Sequence, residues 1–341
     1  MMVAWLNTLI AGLLQSTRLS RHRLCQTLAI LLAFGSMGFA AASHAAYPDK
    51  PIRIIVPYPA GGATDQFARA LVPALVEILK QPVIVDNRAG AGGAIGTQAV
   101  ISAAPDGYTL VFGNSGPISI LPLMRKLPFD PLKDLRPISL VAISPSILAV
   151  PTDSPAKDLR EFVALAKRDG SKLNYGSVGN GSQSHLAGEF FKMQSGTELT
   201  HVPYKGGAPL MTAFGTGEVQ MAFVTGIDAA AMVKAGKMRL LAVATEQRSP
   251  VVPGLPAVNE QVPGYVASAW FGLMAPSGVP DDIVATLNAA IVQAVSRPEF
   301  RDLLFERNVE AKASTPAQFD ALIRSEMKLW GEVIQRGNIK E

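Results

Sequence analysis

A chain of 341 residues with a single cysteine and 31 basic against 27 acidic side chains excludes a disulfide framework and a cysteine-ligated metal centre, and is long enough for more than one core. The positive excess is concentrated at the start. Residues 1–45 hold Arg18, Arg21 and Arg23 and no acid, so the remainder has 28 basic against 27 acidic groups and offers no electrostatic case for a nucleic-acid partner.

The three arginines precede the uncharged apolar run Leu24 to Ala42, and Ser43-His44-Ala45 supplies the small residues of an export-peptidase site. This pattern predicts a signal peptide over 1–45, cleaved after Ala45, and a periplasmic protein. An uncleaved anchor is the alternative, since the apolar run is nearly long enough to span a bilayer. Arg21-His22-Arg23-Leu24 before Cys25 argues against a lipoprotein, and cleavage would remove the only thiol. The earlier apolar run Val3 to Leu14 suggests that translation starts downstream of Met1.

Ile52 to Val56 is a β-branched run. Pro57-Tyr58-Pro59-Ala60-Gly61-Gly62-Ala63-Thr64-Asp65 follows, then a helical stripe of Phe67, Leu71, Leu75, Ile78 and Leu79. Strand, glycine loop and helix start together form an anion seat, in which backbone N–H groups and the positive dipole end favour a carboxylate or phosphate. The competing reading is that Thr64 or Asp65 caps its own helix. Pro82 to Asp86 is the next strand pattern. After it Gly90, Gly92 and Gly96 miss the dinucleotide spacing, so they predict close packing or a second pocket wall rather than a nucleotide site. Gly107 to Phe112 reads as a third strand with the polar exit Gly113-Asn114-Ser115-Gly116. Three such exits predict an α/β fold with a ligand at the carboxyl edge of a parallel sheet.

Ile138 to Val150, an apolar stretch broken by Ser144-Pro145, reads as a crossing strand into a second lobe, which opens with a helix around Phe162. A strand into Tyr175-Gly176-Ser177-Val178-Gly179-Asn180-Gly181-Ser182 echoes the first loop. Further strands lead to Pro203-Tyr204-Lys205-Gly206-Gly207 and to Thr225-Gly226-Ile227-Asp228, and Arg239 to Thr245 is another. Trp270 to Pro276 returns to the first lobe. Three helical patterns close the chain, the last over Pro316 to Gln335 with Thr315 as N-cap.

The Pro57–Asp65 loop, Asp86-Asn87-Arg88-Ala89-Gly90-Ala91-Gly92-Gly93, Tyr175-Gly176-Ser177 through His185-Leu186, His201-Val202-Pro203-Tyr204-Lys205-Gly206 and Trp270-Phe271-Gly272-Leu273 together resemble the Bug family. These are periplasmic solute receptors of the tripartite tricarboxylate transport type. The resemblance implies a two-lobed, type II-like Venus-flytrap α/β fold, each lobe a mainly parallel sheet flanked by helices. Residues 46–149 with 269–341 form lobe 1 and 150–268 form lobe 2. It further implies a small organic acid held in the interlobe cleft by Tyr58, Ala60, Gly61, Gly62, Thr64, Asp65 and Ser115 from one side. Ser177, Gly181, Ser182, Tyr204 and Thr225 face it from the other. Delivery to membrane transporter subunits, a monomer, and no cofactor or metal complete the expectation; signalling to a membrane partner is the variant.

Many relatives carry an acid or amide just after the strand that here ends Phe223-Val224-Thr225, so the resemblance implies a carboxylate ligand without a cationic amine. Of the two histidines beyond residue 45, His185 is expected to bond at its helix start. Lys205 is either a solvated charge or an anion contact, and Arg88 has Asp86 as a local partner. An exported hydrolase is the competing class. Gly113-Asn114-Ser115-Gly116-Pro117 fails the G-x-S-x-G elbow, and Ser177 and His185 have no third member.

Overall fold

The computed structural model describes residues 47–339, so the expected signal peptide and its cleavage site lie outside the described residues. Strand β1 (Ile52–Val56) is almost wholly buried, and β2 (Val83–Asn87) and β3 (Thr109–Asn114) flank it in parallel. Between them run α1 (Ala63–Leu79) and α2 (Ala94–Ile101). Of the expected stripe of α1, Phe67, Leu71, Leu75 and Leu79 are buried and Ile78 is half-buried, and Phe67 meets Phe271 edge-on at 4.7 Å. Pro73 lies inside α1 without ending it.

The apolar run 138–150 is two strands, β4 (Leu135–Pro145) and β5 (Ile147–Pro151), each in a different sheet, with Ser146 between them. The second sheet continues with β6 (Asn174–Ser177), β7 (Thr200–Pro203), β8 (Met221–Val224) and β9 (Met238–Val243). Its helices are α3 (Leu159–Asp169), α4 (Gln183–Ser195), α5 (Gly207–Thr216) and α6 (Gly226–Lys234). The chain returns through β10 (Ser268–Pro276), α7 (Asp281–Val295), α8 (Pro298–Phe305), β11 (Glu310–Ala311) and α9 (Pro316–Gly337).

Strand order is β11-β4-β10-β3-β1-β2 in one sheet and β7-β6-β8-β5-β9 in the other. Both sheets are mixed: β1–β3 and β6–β8 pair in parallel, whereas the strands next to the crossings, β10, β4 and β5, pair antiparallel with their neighbours. The carboxyl ends of each parallel set carry the glycine loops, which is where open α/β sheets bind ligands. Among the described residues, no helix is long and apolar enough to cross a membrane.

Helix α9 serves both cores. Phe319 and Ile323 pack with Trp270 and Leu140 on the first sheet, while Trp330 and Val333 pack with Phe190 and Tyr265 on the second. Between them Glu326 is buried; it accepts from Ser115 Oγ at 2.8 Å and from Trp270 Nε1, and burial pushes its carboxyl above the usual range.

Beneath the loop that follows β6, His185 and His201 stack at 4.1 Å with planes 13° apart. His185 Nδ1 accepts from the Gly181 N–H at 3.2 Å, and His201 Nε2 shares a 2.7 Å hydrogen bond with Ser177 Oγ. Burial pushes His185 down to about 4; burial and then the facing His185 push His201 down to about 3. Tyr175 covers the other face of His201, with Glu189 and Lys192 on α4 as the nearby charges.

Trp330 is 1 % exposed, so Trp330→Ala is expected to lower unfolding free energy by about 3–5 kcal/mol, measured by urea denaturation. Because both histidines are held neutral in the native state, the unfolded chain alone takes up protons as pH falls below about 6.5. Stability is therefore full above that pH and lost towards pH 4, by up to about 1.4 kcal/mol per pH unit for His185. Thermal unfolding from pH 7 to 4.5 should show a smaller fall in Tm for His185→Gln than for the parent; equal falls would remove the histidine from the acid response.

Candidate functional site

The loop after β1 turns at Gly61, with φ +90°, and Gly62 is the N-cap of α1 with no side chain capping the helix. Neither Thr64 nor Asp65 is the cap; both lie in the first turn. Asp65 folds the loop instead. Its carboxylate accepts from the Gly61 N–H at 3.0 Å, from Arg69 Nε at 2.9 and 3.0 Å, and from Asn87 Nδ2 at 2.9 Å. Burial opposes its charge, but these bonds together hold it below the usual carboxylate range. Thr64 Oγ1 accepts from Asn114 Nδ2 at 3.0 Å, which leaves its own proton for another acceptor. The first amides of α1 have no intrahelical partner, and Ala63 and Thr64 line a cavity between the two sheets.

Helix α5 repeats this arrangement from the other side. Gly206, with φ +107°, is its N-cap, again without a side-chain cap, and Gly207 and Ala208 line the same cavity. A Cβ at Gly62 would stand 3.8 Å from the Gly207 nitrogen, so two uncapped helix starts from opposite sheets face each other. An anion between them meets free N–H groups and two positive dipole ends.

The loop after β6 echoes the first in sequence but uses its donors internally. Val178 N–H bonds Ser184 Oγ at 3.1 Å, Gly179 N–H bonds Ser177 Oγ at 3.2 Å, and His185 N–H bonds Ser182 Oγ at 3.2 Å. Together with the Gly181–His185 bond, these contacts make it a braced wall.

Of the residues singled out in the sequence, Tyr58, Ala60, Gly62, Thr64, Ser115, Ser182 and Thr225 lie on the cavity wall. Gly61, Asp65, Ser177 and Gly181 lie off it, each engaged in the loop bonds described above. Tyr204 faces an outer chamber with Gly90 to Gly93 and Asn180, and its hydroxyl donates to Glu218 at 3.1 Å. Ser115 is fully buried, its hydroxyl committed to Glu326. Burial raises the Tyr58 phenol, which donates to Asn114 Oδ1 at 3.5 Å. Lys205 is exposed at the mouth, and Arg88 pairs with Asp86 at 3.1 Å.

Sequence reasoning missed the apolar wall of Leu210, Phe223, Val224 and Phe271, and it missed Asp228. The far wall is not free of charge-bearing groups: Val224 stands at the strand end, but one helical turn on, Asp228 enters the cavity from the first turn of α6. Thr225 Oγ1 donates to Asp228 Oδ2 at 2.8 Å, and burial pushes the carboxyl up to about 6. Gly206-Gly207 after β7 was the available signal for the second helix start, since it repeats Gly61-Gly62 after β1.

Ser177 pairs with His201 rather than with His185, but Ser177 is fully buried off the cavity wall and His201 is pushed too low to act as a base near neutrality. Among the described residues no three His, Cys, Asp or Glu side chains are grouped for a metal.

Residues 67–339 match the family described as tripartite tricarboxylate transporter family receptor. A Cupriavidus necator protein encoded in the gbd 5' region is 37 % identical over 311 residues, 90 % of this chain and 94 % of that one. BugT of Bordetella pertussis is 34 % identical over 322 residues, 93 % of this chain and 98 % of its own. Among solved structures, an R. palustris protein with adipate superposes with a TM-score of 0.83 at 31 % identity, covering 86 % of this chain and 99 % of that one. MatC from Rhodopseudomonas palustris with bound malate gives 0.79 at 31 %, covering 84 % and 100 %. The periplasmic binding protein BugD gives 0.81 at 30 % identity, covering 86 % and 99 %. The chain belongs to the Bug, or tripartite tricarboxylate transporter receptor, family, and its fold is that of a two-lobed periplasmic binding protein.

Proposed function

We propose that this protein is an extracytoplasmic receptor that binds a small organic carboxylate in the cleft between its two sheets and delivers it to a membrane transporter. The observation that carries this reading is the pair of uncapped helix starts, Gly62–Thr64 and Gly206–Ala208, facing each other across the cavity. They offer N–H donors without a cationic side chain in the seat. Each hydrogen bond to a charged group contributes about 1.5–3 kcal/mol, so about four of them reach the roughly 8 kcal/mol of a micromolar complex after the cost of association. The adipate- and malate-bound relatives support the ligand class.

A ligand held by both helix starts binds the closed arrangement better than an open one, and that difference shifts the population towards closure. Closure of a monomer is the form a transporter subunit reads. Removal of residues 1–45 on export fits the receptor's place outside the cytoplasm.

A panel of organic acids, sugars and nucleotides tested by thermal shift should give increases in Tm with carboxylates alone; shifts with sugars instead would overturn the reading. Ala63 occupies the first helical position, where proline is accepted and only the N–H is lost. Ala63→Pro should therefore weaken carboxylate binding about tenfold, ~1.4 kcal/mol, with the unliganded Tm unchanged. Intact mass of the exported protein should begin at Ala46.

A further inference from the structure

Among the described residues, Gln183 Nε2 is a buried nitrogen without a hydrogen-bond partner, and Gln183 lies on the cavity wall. Gln98 Oε1, Ser119 Oγ and Trp330 Nε1 also lack one, but their residues lie off that wall. Gln183 is the first residue of α4, whose start is already capped by Ser182, so its side chain is not needed there. The other end of the amide is fixed: Oε1 accepts from Ser146 Oγ at 3.0 Å, and Ser146 is the buried residue between β4 and β5, where the chain crosses from one sheet to the other. An anchored amide whose nitrogen keeps two protons unspent is short of an acceptor.

This amide stands apart from the seat built by the two helix starts. In each sheet the crossing strand, β4 or β5, lies three places from the strand that leads to a helix start, β1 or β7. At about 4.8 Å between neighbouring strands, the crossing end of the cleft is about 14 Å from the end that carries the seat. Among the described residues Lys205, at the mouth, is the only basic side chain on the wall, and Phe223, Ala269 and Phe271 make much of the remainder apolar. An N–H donor without a cation suits a neutral oxygen, because a second carboxylate buried there would lose more hydration than one hydrogen bond returns.

We infer that Gln183 is a specificity-determining residue that donates from Nε2 to an uncharged acceptor oxygen at the end of the ligand remote from its carboxylate. The ligand class is then a monocarboxylic acid with a distal ketone, ester or amide carbonyl. This inference rests on the carboxylate reading of the cleft.

The test uses acids that differ only towards the far end: hexanoate, 5-oxohexanoate, adipate and 6-aminohexanoate, with the corresponding five-carbon set. Each is titrated calorimetrically at pH 7.5 into the purified protein, Gln183→Met and Gln183→Glu. Methionine keeps the length and removes the amide; glutamate keeps an acceptor for Ser146 and removes only the donor. In the parent the oxo acid should bind about tenfold more tightly than the other three acids of equal length, the effect of one buried hydrogen bond. In Gln183→Met the oxo acid and the plain acid should bind alike, and in Gln183→Glu the amino acid should become the tightest binder of its set. The ranking in the parent stands by itself if a variant fails to fold. Acids that bind without preference for the oxo group, with a preference unchanged in Gln183→Met, or with adipate or 6-aminohexanoate ahead in the parent, overturn the role of Gln183 and leave the carboxylate reading standing. If no member of either set binds, that reading falls with it.

Discussion

Backbone amides at a helix start must find an acceptor, and α1 and α5, which face each other from opposite sheets, are among the helix starts left without a side chain to provide one. The rest of the site follows from that constraint. A serine or aspartate at position 62 or 206 would cap the helix and close the seat; glycine leaves the N–H groups free and lets the facing backbone approach. Because the donors belong to the main chain, their direction is set by the helices and not by rotamers.

Polar side chains near the cleft serve mainly to hold that backbone in place. Asp65 ties Gly61, Arg69 and Asn87 into one unit, Asn114 links Thr64 to Gly116, and Ser184 and His185 fasten the loop after β6. Asp65, Ser184 and His185 are buried and Asn114 half-buried, all with hydrogen bonds made, the condition under which burial of a polar group is tolerated. The cavity is thereby walled by loops whose polar side chains are mostly committed to one another. Asp228 is tied to Thr225, whose hydroxyl accepts from its N–H at 3.3 Å and donates to Oδ2 at 2.8 Å, while Oδ1 lies against Gly207.

Much of the architecture was legible in the chain itself. Strand β1, the stripe of α1 and the cap of α9 at Thr315 all follow from period and punctuation, because each depends on residues adjacent in sequence. The interruption at Ser144-Pro145-Ser146 is visible in the sequence, but that the segments on either side of it join different sheets was not, since only pairing with partners distant in sequence decides that. Among site residues the glycine loops announced themselves, but which loop keeps its donors free did not. That distinction depends on Gly181 meeting His185 and on Gly206 meeting no cap, facts of three-dimensional placement. Asp228 was hidden for the same reason: its sequence context is an ordinary helix start, and only the surrounding apolar wall makes it unusual.

Helix α9 can be treated as a beam fixed at both ends. At about 1.5 Å per residue its 22 residues span roughly 33 Å, with Glu326 near the middle and about 16 Å of helix beyond it. Turning one lobe by about 20° around Glu326 would sweep the far end through about 5–6 Å, more than a close-packed core absorbs without undocking. Trp330 lies one turn past Glu326 and is embedded in the second core, so the beam has only that turn in which to flex. Gly331 follows directly, with no atoms within 4 Å of where its Cβ would be. The single turn from Glu326 to Trp330 is thus the stretch of α9 that joins its anchor at Ser115 and Trp270 to its anchor in the second core.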